Sequence, residues 1–135
     1  MNTEDTAQND CLFCELQGSS RVVSENTLCY LLEDKYPVSN GHCLVIPKRH
    51  VDEYFGLTNA EIKAANQLLK AHKEHLEKVD PTIEGFNVGM NSGQTAGQTI
   101  FHCHIHLIPR REGDVSDPTG GVRHVIPNKA NYRDK

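Results

Sequence analysis

The stretch Phe101-His102-Cys103-His104-Ile105-His106-Leu107-Ile108-Pro109 limits what this chain can fold into more than any other. Side chains on a β-strand alternate between two faces, so an extended backbone puts His102, His104 and His106 on one face and Phe101, Cys103, Ile105 and Leu107 on the other. On a helix these residues would scatter, because a step of two rotates the direction by roughly 200°. The spacing therefore predicts a strand with one face on a core and a row of imidazoles on the other.

A chain of 135 residues can bury a genuine core and is read as one domain. With 37% hydrophobic and 24% charged residues, it has the balance of a globular protein with a wet surface. A net charge of -4, with acidic residues spread along the chain, argues against a large sequence-independent nucleic-acid footprint. Met1 to Asp10 is polar and acidic, unlike a secretory signal, and is expected to be a flexible N-terminus. No apolar run approaches the ~20 residues of a membrane span. These features predict a cytoplasmic protein with neither a nucleic-acid nor a membrane partner.

Five cysteines in a reducing compartment speak against a disulfide framework. Cys29, Cys43 and Cys103 lie in apolar stretches and are expected as small buried hydrophobes. Cys11 and Cys14 form a C-x-x-C pair, which is either half of a tetrahedral zinc site or two idle thiols; the spacing alone does not choose.

Residues 21–33 predict two strands around a turn at Ser24-Glu25-Asn26, followed by a loop over Asp34 to Gly41. His42 to Ile46 predicts a short strand covered on both faces and stopped by Pro47, with Lys48-Arg49-His50 as a basic corner. A long helix is expected from Thr58 to Asp80-Pro81, opened by a Thr58/Glu61 capping box and a Leu57/Ile62 staple. Its apolar stripe would be Ile62, Ala65, Leu68, Leu69, Leu76 and Val79, with His72 and His75 on the solvated face. Phe86 to Met90 predicts a further strand, and the glycine-bearing loop 91–99 has the composition of a phosphate site. Beyond Arg111 the chain is polar and rich in Gly and Pro.

Three imidazoles in register suit three roles: a polar face, a metal site or covalent catalysis. One ion does not easily take all three, since the outer Cα atoms of a strand pattern lie about 13 Å apart. Imidazole ionises near ~6.5 and is nucleophilic when neutral, and a neighbour on the same face can serve a phosphoryl oxygen or a leaving group. Catalysis uses the repetition and the adjoining loop together.

His102-Cys103-His104-Ile105-His106-Leu107-Ile108 resembles the signature of the histidine triad (HIT) superfamily, with Gly41 to Pro47 resembling its upstream histidine strand and Ala96-Gly97-Gln98-Thr99 its pre-triad loop. The resemblance implies an α+β fold over residues 11–111: a five-stranded, mainly antiparallel sheet with one long and one short N-terminal helix, dimerising into a ten-stranded sheet. Residues 112–135 would be a C-terminal tail packed near the active site. By the same resemblance, His104 is the nucleophile at the α-phosphate of a purine nucleotide and His106 assists the leaving group. His102 and His42 complete the histidine cluster, Asn91, Gln98 and Thr99 contact phosphate, and Asp34 holds the ribose. Cys11, Cys14, His50 and His102 match a structural zinc site of many bacterial-type members, while catalysis requires no metal. The implied substrates are dinucleoside polyphosphates such as diadenosine tetraphosphate, with Arg110, Arg111 and Arg123 able to neutralise the phosphates. The alternatives are adenosine 5'-phosphoramidates, a nucleotide-binding or zinc-stabilised interaction module with vestigial turnover, and a metal-dependent hydrolase.

Overall fold

The computed structural model describes residues 10–134; the expectation for residues 1–9 falls outside them. Five strands, β1 (Val22–Glu25), β2 (Cys29–Glu33), β3 (Cys43–Pro47), β4 (Gly85–Gly89) and β5 (Ile105–Arg110), form one sheet in the order β1-β2-β3-β5-β4. Every neighbouring pair is antiparallel. Two α-helices, α1 (Leu12–Glu15) and α2 (Asn59–Val79), cover opposite faces.

The central strands are apolar throughout because both of their faces are covered. Cys29, Leu31, Cys43, Val45 and Ile105 meet Ala64, Ala65 and Leu68 of α2. On the other face, Tyr30, Leu32, Leu44 and Ile46 meet Cys11, Phe13 and Cys14. Cys29, Cys43 and Cys103 are buried as the sequence predicts, and desolvation pushes their thiols up to about 11, about 12 and about 12. The β1–β2 turn sits slightly later than expected, because Asn26 Oδ1 accepts the Leu28 and Cys29 N–H groups and so fixes the reversal there.

Helix α2 starts at the predicted cap: Thr58 Oγ1 accepts from Glu61 N at 3.1 Å, and Glu61 Oε1 accepts from Thr58 N at 2.9 Å. Glu61 is buried, and Arg49 donates to both of its carboxylate oxygens at 2.9 and 2.8 Å. Those bonds hold the carboxyl below its usual range against the opposing effect of burial. Replacing Glu61 with Ala is expected to cost about 2–3 kcal/mol, by removing half of the capping box and the two bonds that Arg49 donates to the carboxylate. A lowered urea midpoint with unchanged m checks this, and Glu61→Gln should lose less. The predicted apolar stripe is shorter than expected: its last buried residue is Leu68, and Val79 in the final turn is 62% exposed. Among the described residues no helix is long and apolar enough to cross a membrane.

The histidine stretch departs from a single strand. Strand β5 begins only at Ile105, and Cys103 N donates instead to Val51 O. Cys103, Ile105 and Leu107 are buried as expected, but Phe101, assigned to the core face, is 47% exposed. The chain bends before Cys103 because the fully buried His102 ring is drawn toward the two N-terminal cysteines. After β5, Arg111 ties the tail to Asp80, Thr82 and Asn40 O. Arg123 donates to Ala130 O and Lys129 O and lies over the Tyr132 ring, so the tail folds back on itself.

Candidate functional site

Hydrogen-bond partners of fixed polarity assign the histidine tautomers. A carbonyl only accepts, so His104 Nδ1, 2.8 Å from His102 O, carries the proton and Nε2 presents its lone pair. His102 Nε2 likewise donates to Pro47 O at 2.8 Å, leaving Nδ1 as a lone pair. A backbone N–H only donates, so His42 Nδ1 accepts from Val38 N at 3.1 Å, and His42 Nε2 donates to His106 Nδ1 at 2.9 Å. The remaining proton of His106 is therefore on Nε2. Asp34 Oδ2 stands 3.4 Å from His42 Nε2 and 4.0 Å from His106 Nδ1.

The His104 and His106 rings are 5.4 Å apart between centroids, and Phe13 of α1 packs against His104 at 5.0 Å. Burial holds His42 below the usual imidazole range, with Asp34 opposing. His106 is pushed down to about 4, first by burial and then by His104 and His42, again against Asp34. Both rings are thus neutral near pH 7. As pH falls below about 6.5, the unfolded chain takes up these protons before the folded one does. The His106 contribution to stability is present above that pH and lost toward about 4, and the His42 contribution is likewise lost as the pH falls. The melting temperature should fall between pH 7 and pH 5, with a shallower slope in His106→Gln; parallel slopes would contradict the assignment.

His104 and His106 line a cleft of about 310 Å³. Leu12, Phe13, Leu32 and Leu44 form apolar wall, while Asp34, Asn91 and Thr99 line it with polar groups. The 91–99 loop reaches this position through left-handed backbone at Gly93 and Gly97. Gln98 also lines the cleft, but its side chain is buried: Nε2 donates to Asp52 O and Ile100 O, and Oε1 accepts from Gly93 N. Both amide protons are spoken for, so in this arrangement the side chain braces the loop. Ser92 Oγ is a buried polar atom without a hydrogen-bond partner. Sequence reasoning missed Phe13, which packs on His104, and the Val38 N–H, which fixes the tautomer of His42; neither residue carries a local signal.

The structure also gathers Cys11, Cys14, His50 and His102, whose ligand atoms all lie within 4.8 Å of one another. Cys11 Sγ and His102 Nδ1 are 3.3 Å apart, as are Cys14 Sγ and His50 Nδ1. Zinc bonds of about 2.3 Å to sulfur and about 2.0 Å to nitrogen put tetrahedral donors about 3.5 Å apart, so this set fits the ion. Each histidine is steadied through its other nitrogen: His102 donates to Pro47 O, and His50 Nε2 is 3.4 Å from Asp52. On α2 the His72 and His75 rings lie 5.5 Å apart and belong to neither set; His75 is exposed as expected, but His72 is half-buried rather than on the solvated face.

A lone pair on one imidazole and an N–H on the next, facing one cleft beside a glycine-bearing loop, define a histidine-based site on an α+β sheet. The HIT domain family matches residues 15–113, and the chain belongs to it. It is 37% identical over 112 residues to adenylylsulfatase HINT3 of Arabidopsis thaliana, covering 81% of this chain and 56% of that protein. It is 32% identical over 105 residues to the asymmetrical bis(5'-nucleosyl)-tetraphosphatase of Schizosaccharomyces pombe, covering 78% of this chain and 57% of the relative. The chain thus spans just over half of each of these two proteins. A zinc-bound histidine triad family protein from Mycobacterium smegmatis superposes with a TM-score of 0.70 at 29% identity, covering 78% of each chain.

Proposed function

We propose that this chain hydrolyses purine nucleotides at the α-phosphate through a nucleotidyl intermediate on His104, with dinucleoside polyphosphates of the diadenosine tetraphosphate type as substrates. The observation that carries it is the tautomer pair, a lone pair at His104 Nε2 and a proton at His106 Nε2 on one cleft wall. His104 Nε2 bonds to phosphorus as the bond to the leaving oxygen breaks, and the electron pair departs with that oxygen, to which His106 Nε2–H donates. Water then adds its oxygen to phosphorus and releases a proton to solvent, the P–N bond breaks, and its electrons return to His104 Nε2. His42 keeps the His106 proton on the productive nitrogen, and the 91–99 loop lies beside the phosphate position. In this reading Asp34 meets the ribose hydroxyls, and its carboxylate also faces the His42–His106 pair.

The tetraphosphatase relative supports the leaving group. A phosphoramidate is the second reading, because three arginines beyond the triad are already committed, Arg110 to Asp114 and Asn87, Arg111 to Asp80, and Arg123 to tail carbonyls, which leaves Arg21 and Lys35 as the cations of the cleft lining. Turnover of diadenosine tetraphosphate beside an adenosine 5'-phosphoramidate, with chelator present, tests the assignment. A higher kcat/KM on the first supports it; preference for the second replaces the leaving group, and no turnover with AMP bound leaves a binding module. We also place structural zinc at the Cys11/Cys14/His50/His102 set and a second copy of the chain along the outer edge of β4, which pairs only with β5. In this reading residues 11–111 form the domain, 112–135 its tail, and the protein works in the cytoplasm.

A further inference from the structure

The chain beyond residue 113 lies outside the family match, and residues of its 114–124 segment, with the end of the sheet, line a second cavity of about 370 Å³. We propose that this cavity binds the distal nucleoside of the leaving group, an inference that rests on the dinucleoside polyphosphate reading above. Its position follows from the strand register. His106 and Ile108 lie on the same face of β5, about 7 Å apart, and Asn87 of β4 stands across from Ile108. The nucleotide cleft reaches along β5 to His106, and the second cavity begins at Ile108. Its opposite rim includes Val38, whose N–H fixes the tautomer of His42. A group expelled past His106 along the strand therefore arrives here.

The lining suits an uncharged heterocycle and sugar better than bare phosphate. Val38, Ile108 and Val115 give it apolar wall. Asn87 Oδ1 is occupied by Arg110, which leaves the amide Nδ2 as a donor. His124 Nε2 donates to Thr119 O, which leaves Nδ1 as an acceptor, and the Asp117 carboxylate, whose oxygens already accept from Thr119 N and Asn131 Nδ2, keeps lone pairs for a further donor. Arg110, the one guanidinium in the lining, donates to Asp114 through Nε and Nη2 and is matched in charge. A terminal phosphate would meet Asp117 without a cation to spare, whereas ribose hydroxyls and a ring amine find partners. The wall is held close by glycines: at Gly120, φ +92°, a Cβ would fall 2.3 Å from Ala130 O, and at Gly121 it would lie 3.2 Å from Asn87 Nδ2.

The test compares diadenosine tetraphosphate with adenosine 5'-tetraphosphate, which has the same phosphate chain and lacks the second nucleoside. Wild type should prefer the dinucleoside in kcat/KM by about tenfold or more, equivalent to ~1.4 kcal/mol. Val115→Trp, which fills the cavity, and His124→Ala, a change at an exposed residue, should each bring the preference close to unity while leaving adenosine tetraphosphate turnover unchanged. Equal kcat/KM in wild type, or a preference that survives in both variants, would overturn the subsite and leave nucleotide hydrolysis standing. Cleavage of neither, with an adenosine phosphoramidate still cut, would overturn the substrate assignment and the subsite with it.

Discussion

His104→Ala is expected to lower kcat by about 10⁴-fold or more while AMP remains bound. The size follows from the nucleophilic role proposed above. Removing a hydrogen-bond donor leaves the reaction path in place and slows it, but removing the atom that bonds to phosphorus closes the path and leaves only direct attack by water. Binding survives because the cleft is built largely by others: Leu12, Phe13, Leu32 and Leu44 form its apolar wall, and Asp34, Asn91 and Thr99 supply polar groups. His104 is also partly exposed, so the vacancy fills with water and the fold is little affected. Single-turnover kinetics with an AMP titration checks this, and a loss below tenfold would show that another group forms the bond. His106→Ala should cost less, about 10²–10³-fold, because a donor to the leaving oxygen is helpful but replaceable by water.

Cys14→Ser is expected to lower the melting temperature by about 10 °C and to deplete bound zinc. Structural zinc contributes about 10–16 kcal/mol in fingers that have no other core. Here an independent core exists, so a loss of about 3 kcal/mol is the scale, and a domain of this length converts it to roughly 10 °C. The consequence reaches the cleft, since Cys11 and Cys14 flank Leu12 and Phe13, which line it, and Tyr30 Oη donates to Phe13 O. His102 connects the two sites, with Nδ1 among the cysteines and its carbonyl holding His104. KM should therefore rise about tenfold, with a smaller change in kcat. Metal content by elemental analysis and a melt on the same sample check the claim. Wild-type protein purified without chelator that carries no zinc would sink it.

The parts of the fold legible in the sequence are those with a local cause. Alternation through Ile105 and Leu107 reported β5, and the Thr58/Glu61 pair reported the start of α2, because each pattern is complete within a few residues. The bend before Cys103 was not legible, because its cause lies far away: Cys11 is 91 residues from His102. Alternation alone therefore kept three histidines in one row, although the first belongs to the metal set. Resemblance supplied the Cys11, Cys14, His50 and His102 set that the fold gathers, which no spacing rule connects. The commitments of Arg110, Arg111 and Gln98 depend on which backbone carbonyls and carboxylates the fold brings near, and composition is silent on that. Val38 is the sharpest case, since it acts through its N–H and any residue but proline offers one.

The most direct test of the central claim is to trap the covalent intermediate. Wild-type protein is mixed with diadenosine tetraphosphate, quenched within the first turnover under conditions that preserve P–N bonds, digested and mapped by mass spectrometry. An adenylyl group on the peptide containing His104, absent from His104→Ala, is the predicted result. Turnover at full rate with no adduct at any quench time, together with inversion of configuration at phosphorus, would contradict the account.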